Sequence, residues 1–489
     1  MKKLPLGIQT FKDIIQDNYL YIDKTKDLYN LIKDGGKYYF ISRPRRFGKS
    51  LLVSTLKEIF SGNKELFKGL WIYDKLEWKK HPVIHIDFSG MDLRTPETFL
   101  NNLENRMSDL LKDNNFEVDE KKSYKENFRF LMEKLSKQEK VVILIDEYDK
   151  PIVNFVDNIE IANKNREILK NFYETIKESD QYIRFAFLTG VSKFSKVSVF
   201  SGLNNLRDIT LEEKFATIAG YTENELFNYF DEYIKSTSDK LHVTPEFLKD
   251  TLKDWYNGYS WDGKNFVYNP YSILSVFTVQ KINNYWFQSG TPTFLIKLIK
   301  EKSIEIKKFE NIEASAAMLD SFEIENIDVE SLLFQTGYLT IKEIIEYSIS
   351  ERVYILSYPN TEVKESLLKN ILNNFLESGN NDILVGKLYR SLNKNNLEEF
   401  FNILNDIFIN IPAVIFMSNK EAYYHTIIYL ILTLIGVKIS VEVYTNKGRI
   451  DAVIETETHI YVIEFKMSNS KEAIKQIEAK KYYEKYISS

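Results

Sequence analysis

Three residue types near the C-terminus could together hydrolyse a phosphodiester. Asp451 heads a strand in GRIDAVIE after a Lys447-Gly448 turn, and Glu464 and Lys466 stand two apart in IEFK. Side chains alternate along a strand, so Glu464 and Lys466 share one face and Phe465 takes the other. Two carboxylates and an ammonium on one face can hold Mg²⁺, or Mn²⁺ in its place, on oxygen ligands and can orient a water for attack. In this reading Asp451 and Glu464 are direct ligands, the Phe465 carbonyl is a third, and Lys466 positions the water or lowers its pKa. E-x-K alone often marks a solvated strand face. The aspartate at the head of the preceding strand favours the site. Gln476 and Tyr483, seven apart in the helix that follows, share a face that could line DNA or support Lys466; plain surface decoration fits them nearly as well. Lys471, Lys475, Lys480, Lys481 and Lys485 make that helix basic, which suits a phosphate backbone. Further upstream, Glu421 and His425 are four apart and lie on one helix face. For His425 alone, packing near a core is the stronger reading.

A second constellation lies near the N-terminus. In SRPRRFGKS, Gly48 lets backbone approach phosphate, Lys49 reaches the β- and γ-phosphates, and the Ser50 hydroxyl ligates Mg²⁺. Arg43 stands where the first glycine of a P-loop belongs, and Arg45, Arg46 and Pro44 fill the loop. The arginines could bind phosphate tightly without releasing it, or form a solvated loop. VVILIDEYDK runs five apolar residues into Asp146 and Glu147. There Asp146 would hold Mg²⁺ through water, and Glu147 would polarise the attacking water. Thr189 and Ser192 in LTGVSKFS stand where a sensor would meet the γ-phosphate; a hydroxyl-capped strand-end turn is the equal alternative.

The elements that must position these groups alternate. Residues 37–42, 83–88, 141–146 and 183–190 are short apolar runs that read as buried strands. Leu51 to Phe60 and Asn163 to Glu178 carry helical period. Such alternation predicts an α/β fold with a mostly parallel sheet. From residue 222 to about 300 the pattern is helical, and the rings of WYNGYSW (Trp255 to Trp261) are expected to pack that subdomain. Val329 to Tyr358 reads as a helix and a two-stranded wing, and 362–410 as a helical connector.

Composition bounds the rest. A chain of 489 residues, 44% hydrophobic and 14% aromatic, can bury more than one core. It has no cysteine and only five scattered histidines, so any metal should sit on carboxylates. The net charge of −5 gives no global nucleic-acid signal. MKKLPLGIQTF lacks the apolar stretch of a signal peptide, and no apolar run is long enough to span a bilayer. A soluble, cytoplasmic chain with no membrane partner is the expectation.

The blocks LPLGIQTF, YIDKTK, SRPRRFGKSL, IDEYDKP and TGVSKFSKVSVFSGLNNLRDIT resemble the AAA-ATPase-like family of bacteria and archaea. YHTIIYLIL, TNKGRIDAVI and YVIEFK resemble the PD-(D/E)XK nuclease domain that many members carry. The likeness spans nearly the whole chain. It implies a P-loop NTPase domain (1–215), a helical lid (216–328), a winged-helix-like element (329–365), a connector (366–414) and a small α/β restriction-endonuclease-like domain (415–489). An arginine at position 43 is usual in that family. Glu421 matches its first acidic position and would complete the metal site or hold its water. The function implied is an ATP-binding protein, with ATPase activity, coupled to a Mg²⁺-dependent nuclease. DNA is the expected partner, RNA and homo-oligomers stay open, and defence against foreign DNA fits the combination. The rival is a nucleotide-dependent switch whose C-terminal domain binds nucleic acid or protein without cutting.

Overall fold

The computed structural model describes the chain except residues 194–199, 287–294, 296–297, 300–305, 321–327, 349–350, 377–380, 410–419, 436–437, 446–447, 457, 465–469 and 487–489. Contacts divide it into two compact units, Met1–Leu298 with Phe309–Val363, and Ile299–Lys308 with Lys364–Ser489.

The first unit is built on five parallel strands: β1 (Tyr38–Ser42), β2 (Val83–Asp87), β3 (Val141–Asp146), β4 (Ile183–Gly190) and β5 (Arg207–Asp208), in the order β2-β3-β4-β1-β5. The central strands β1, β3 and β4 are apolar runs because helices cover both faces, whereas edge strand β2 alternates buried and half-exposed positions. The two-residue strand β5 carries too little pattern to be read from sequence. The order inserts β4 between β1 and β3. The C-terminal ends of these three strands therefore lie side by side, where ligands bind in open α/β sheets.

The helix Lys49–Phe60 buries Leu52, Val53, Leu56, Ile59 and Phe60, spaced to form one face. Pro96–Asp113 and Tyr124–Leu135 start at capping boxes formed by Thr95 with Thr98 and by Ser123 with Glu126. Each cap satisfies helix-end amides and contributes about 1 kcal/mol.

Four helices, Glu223–Tyr229, Asp231–Leu241, Pro245–Tyr256 and Pro270–Val279, form a second core around Phe230, Ile234, Leu248, Leu252, Tyr256 and Ile273. Thr222, Thr244 and Asn269 cap three of them, two with proline at the first helical positions. Leu20 and Ile22 join this core from the N-terminal segment. A largely buried ion pair between Lys24 and Glu225, 2.6 Å long, reinforces the junction. A short ladder, β6 (Tyr221–Thr222) with β7 (Val267–Tyr268), closes the subdomain.

The helix Val329–Thr336 leads into the hairpin of β9 (Thr340–Glu346) and β10 (Arg352–Ser357). A third strand, β8 (Ile312–Ser315), adds to β10 where two were expected. Gly337 ends the helix at φ 91°, a left-handed turn suited to glycine, and a Cβ there would fall 2.6 Å from the Pro44 ring. This close approach seats the loop after β1.

The second unit holds helices Asn381–Asn393, Leu397–Ile409 and Lys420–Leu434, an antiparallel sheet β11 (Lys438–Thr445), β12 (Gly448–Glu455) and β13 (Ile460–Ile463), and the helix Ser470–Lys480. The stretch read as a connector thus belongs to the same compact unit as the C-terminal sheet. Among the described residues no helix is long and apolar enough to cross a membrane.

Candidate nucleotide and nuclease sites

A cavity of about 650 Å³ opens at the ends of β1 and β3 and is lined by Arg45 to Leu52, Asp146, Glu147, Asp149 and Lys150. Gly48, at φ 82°, turns the loop into the helix Lys49–Phe60, whose first turn has no side-chain cap. Its amides and the N-terminal end of its dipole are therefore available to an anion. The Lys49 ammonium is buried and donates to the carbonyls of Arg43 at 2.9 Å and Pro44 at 3.0 Å. Burial pushes its pKa down, while Asp146, Glu147 and Asp149 oppose the shift. A phosphate would replace two neutral acceptors with charged ones, a stronger class of hydrogen bond.

Asp146 ends β3, and one of its oxygens accepts hydrogen bonds from the Thr189 hydroxyl and, at 3.0 Å, from the Glu147 amide. Thr189 is buried at the end of β4 and spends its hydroxyl orienting Asp146. Glu147 adopts φ 51°, uncommon for a residue with a side chain, and its carboxylate meets Lys150 at 3.0 Å. Strain of this kind gathers at functional sites. Asp149 went unremarked in the sequence, yet it anchors the turn after β4. It accepts from the Ser192 amide at 2.7 Å and the Ser192 hydroxyl at 2.6 Å. Gly190 is required beside it, since a Cβ there would sit 2.5 Å from the Tyr148 ring.

The three arginines part company. Arg45 and Arg46 are exposed and line the cavity, with the Arg46 guanidinium 4.6 Å from the Tyr271 ring centre. Arg43, read from sequence as a phosphate contact, is fully buried and turned away. Its guanidinium donates to the carbonyls of Ser42, Thr210 and Phe215 and stacks 3.9 Å from the Trp261 ring centre. Burial pushes its pKa down to about 9, against the pull of Asp208 and Asp262, so it stays charged at neutral pH. Arg43 braces the loop. The WYNGYSW rings, expected to pack the helical subdomain, divide: Tyr256 and Trp255 do so, whereas Tyr259 and Trp261 pack against Phe47 and seat the phosphate loop. The Trp286 indole adds a hydrogen bond to the Arg45 carbonyl at 3.2 Å.

Beyond the phosphate loop the cavity has a mostly apolar end formed by Ile8, Leu20, Ile218, Tyr221, Tyr271 and Leu274. The N-terminal segment and the helical subdomain supply it. Sequence reasoning missed this wall, whose signal was the apolar residues of LPLGIQ.

In the second unit β12 starts at Gly448, so Asp451 is its fourth residue rather than its first. Ala452 pairs with Ile463, and the next step of that register sets Asp451 opposite Glu464, just past β13. Opposed residues of an antiparallel pair project to the same face. On the same face, two residues along each strand, Val453 packs with Tyr482, with Val462, Ile477 and Tyr486 against the same cluster. Gln476 donates its amide to Glu464, and Tyr482 stands 3.5 Å from that amide. The tyrosine near Gln476 is therefore Tyr482. The helix stops at Lys480, Lys481 takes φ 49°, and Tyr483 is exposed beyond the break. Glu421 and His425 fall on the helix Lys420–Leu434, but their side chains, like all of Phe465 and Lys466, lie outside the described residues. Among the described residues no group of three or more His, Asp or Glu side chains gathers as a metal cage. Two opposed carboxylates still suit Mg²⁺, which is commonly held by one or two carboxylates together with waters and substrate phosphate.

Residues 5–200 match the family described as Predicted AAA-ATPase, and residues 419–489 match the PD-(D/E)XK nuclease superfamily. Across 501 residues the chain is 39% identical to a protein of Azotobacter chroococcum mcd 1 named "Uncharacterized protein in vnfD 5'region", covering 99% of this chain and 94% of that protein. This chain belongs to the AAA-ATPase-like family. It carries the family's ATPase-like domain around the cavity and a PD-(D/E)XK domain around the Asp451–Glu464 hairpin. It is also similar to a solved structure, the Aeropyrum pernix ORC1 protein in complex with DNA, at 9% identity and a TM-score of 0.28, covering 73% of this chain and 96% of that one. A likeness of that degree fixes neither function nor partner.

Proposed function

We propose that the chain binds and hydrolyses ATP in the 650 Å³ cavity and cleaves DNA at the Asp451–Glu464 hairpin, with nucleotide state governing the cleavage. The observation that carries the first half is the convergence of Lys49, Ser50, Asp146 and Glu147 on one cavity beside uncapped helix amides. Lys49 leaves the loop carbonyls for the β- and γ-phosphates, and Glu147 orients the attacking water and takes up its proton. Asp146, held in place by Thr189, and Ser50 would hold Mg²⁺, which supplies charge neutralisation between the phosphates. The helices from Glu223 to Val279 act as a lid, and the helix with β8 to β10 as a winged-helix-like support for the loop. The apolar end of the cavity takes the base.

In the second unit Asp451 and Glu464 would hold Mg²⁺ or Mn²⁺, which supplies Lewis-acid stabilisation of the scissile phosphate. Gln476 keeps the Glu464 carboxylate in place, and Lys466 places the attacking water. The exposed lysines of the helix Ser470–Lys480 attract the DNA backbone. Defence against foreign DNA is the role this pairing fits, by analogy alone.

The Glu147–Lys150 ion pair favours one other reading, a nucleotide-dependent switch with little turnover, because it occupies the carboxylate that hydrolysis requires. Incubating the purified protein with plasmid, linear and single-stranded DNA, in Mg²⁺ or Mn²⁺ with and without ATP, separates the two. Cleavage that changes with nucleotide supports the coupled enzyme. Nucleotide binding without cleavage of any substrate supports the switch.

A further inference from the structure

Two guanidinium groups line the cavity without a carboxylate partner among the described residues, those of Arg45 and Arg46. Their situations differ. Arg46 rests on the Tyr271 ring, which also lines the apolar end. Arg45 stands on backbone held from several sides. Its carbonyl accepts from the Trp286 indole, Pro44 before it lies against Gly337, and Phe47 after it packs edge-on to Tyr259 and Trp261. Arg45 and Lys49 line the same cavity. Two cations on one cavity wall repel each other, and an anion bound between them turns that repulsion into attraction. A forked, permanently charged donor on a rigid base fits the three equatorial oxygens of a transferring phosphoryl group.

We propose that Arg45 is a catalytic residue for ATP hydrolysis, donating to the γ-phosphoryl oxygens in the transition state, so that the chain needs no arginine from a second copy. The inference rests on the ATPase reading above. In the step, a water oxygen bonds to the γ-phosphorus and the bond from that phosphorus to the β–γ bridging oxygen breaks. The water proton passes to the Glu147 carboxylate and then to the released phosphate, leaving ADP and inorganic phosphate. Arg45 keeps its charge throughout and exchanges no proton.

The test measures steady-state hydrolysis and, separately, equilibrium binding of a fluorescent ATP analogue for wild type, R45A, R45K and K49A. R45A should lose on the order of 100-fold or more in kcat. Its nucleotide affinity should stay within roughly threefold of wild type. R45K should remain slow, because an ammonium lacks the fork, and added guanidinium ion should restore part of the R45A rate. An equimolar mixture of R45A and K49A should stay inactive. Recovery in that mixture would mean the arginine acts between copies and would overturn the proposal. A wild-type kcat in R45A, or a loss confined to affinity, would overturn it as well. Wild-type protein that binds nucleotide without turnover would refute the catalytic role of Arg45 yet leave the nucleotide site standing; absence of binding would remove the ATPase reading itself.

Discussion

The two candidate sites are built to different standards. In the first unit the buried polar groups around the phosphate loop are tied to partners: Arg43 has three carbonyls and an indole face, Lys49 two carbonyls, Asp146 a hydroxyl, and Asp149 a hydroxyl and amides. The carboxylates of the second unit sit on a three-stranded sheet beside a small cluster around Val453 and Tyr482. A cradle fixed before the ligand arrives favours binding and timing. A half-exposed carboxylate pair leaves room for a bulky substrate whose own phosphate completes the site. On this comparison, damage near the nucleotide should appear in stability as well as activity, and damage near the hairpin mainly in cleavage.

The sharpest break in that comparison comes from Glu147. Glu147→Gln should keep nucleotide binding and lose at least about 100-fold in hydrolysis, a barrier increase of roughly 2.7 kcal/mol, because the carboxylate acts on water and not on phosphate. Single-turnover kinetics beside a binding isotherm check it.

Arg43→Lys should show that the first unit is held by the brace itself. One ammonium cannot serve three carbonyls and the Trp261 face, so denaturant unfolding should report a loss of about 3 kcal/mol. A variant as stable as wild type with weakened nucleotide affinity would restore Arg43 to the phosphate site.

Glu362 offers a pH test confined to the first unit. It is fully buried, accepting from the Tyr285 and Trp286 amides and the Ser272 hydroxyl, and burial raises its pKa to about 7. The folded state thus holds the proton more tightly than the unfolded chain, so stability should fall as pH rises from about 4.5 to 7 and level off above. The full span is roughly 3 kcal/mol. Melting curves across that range should show the slope in wild type and lose it in Glu362→Gln.

Lys49→Ala should weaken nucleotide binding at least about tenfold, roughly 1.4 kcal/mol, as seen by titration. At the small end, Tyr482→Phe should cost no more than about 1 kcal/mol, since it keeps the ring on Val453 and removes only a long contact to Gln476. Tyr483→Ala should leave stability unchanged, so a larger effect there would reverse the assignment between the two tyrosines.

Local pattern made much of this legible. Strands β3 and β4 are readable to the residue because runs of apolar residues, broken only at Arg184, end in Asp146 and in Thr189-Gly190. GKS and IDEYDK sat on the expected strand ends. The misreadings arose where distant residues or a break in phase decided the outcome. Arg43 looks like a phosphate ligand until Thr210, Phe215 and Trp261 close over it. Tyr483, seven residues after Gln476, shares its face only if the helix continues, and the left-handed turn at Lys481 moves Tyr482 into its place. Strand β8 is set by its pairing with β10, which no local signal announces.

The central claim, two separate chemical sites in one chain, is tested most directly by plasmid cleavage in Mg²⁺ with matched samples of wild type, Asp451→Ala and Lys49→Ala, each also assayed for nucleotide binding. Asp451→Ala should abolish cutting while binding nucleotide as wild type does, because a half-exposed strand carboxylate contributes little to packing. Lys49→Ala should lose nucleotide affinity while keeping the hairpin carboxylates intact, so that its residual cleavage no longer responds to ATP. Cleavage by Asp451→Ala at the wild-type rate would contradict the account, because the activity would then come from somewhere other than this hairpin.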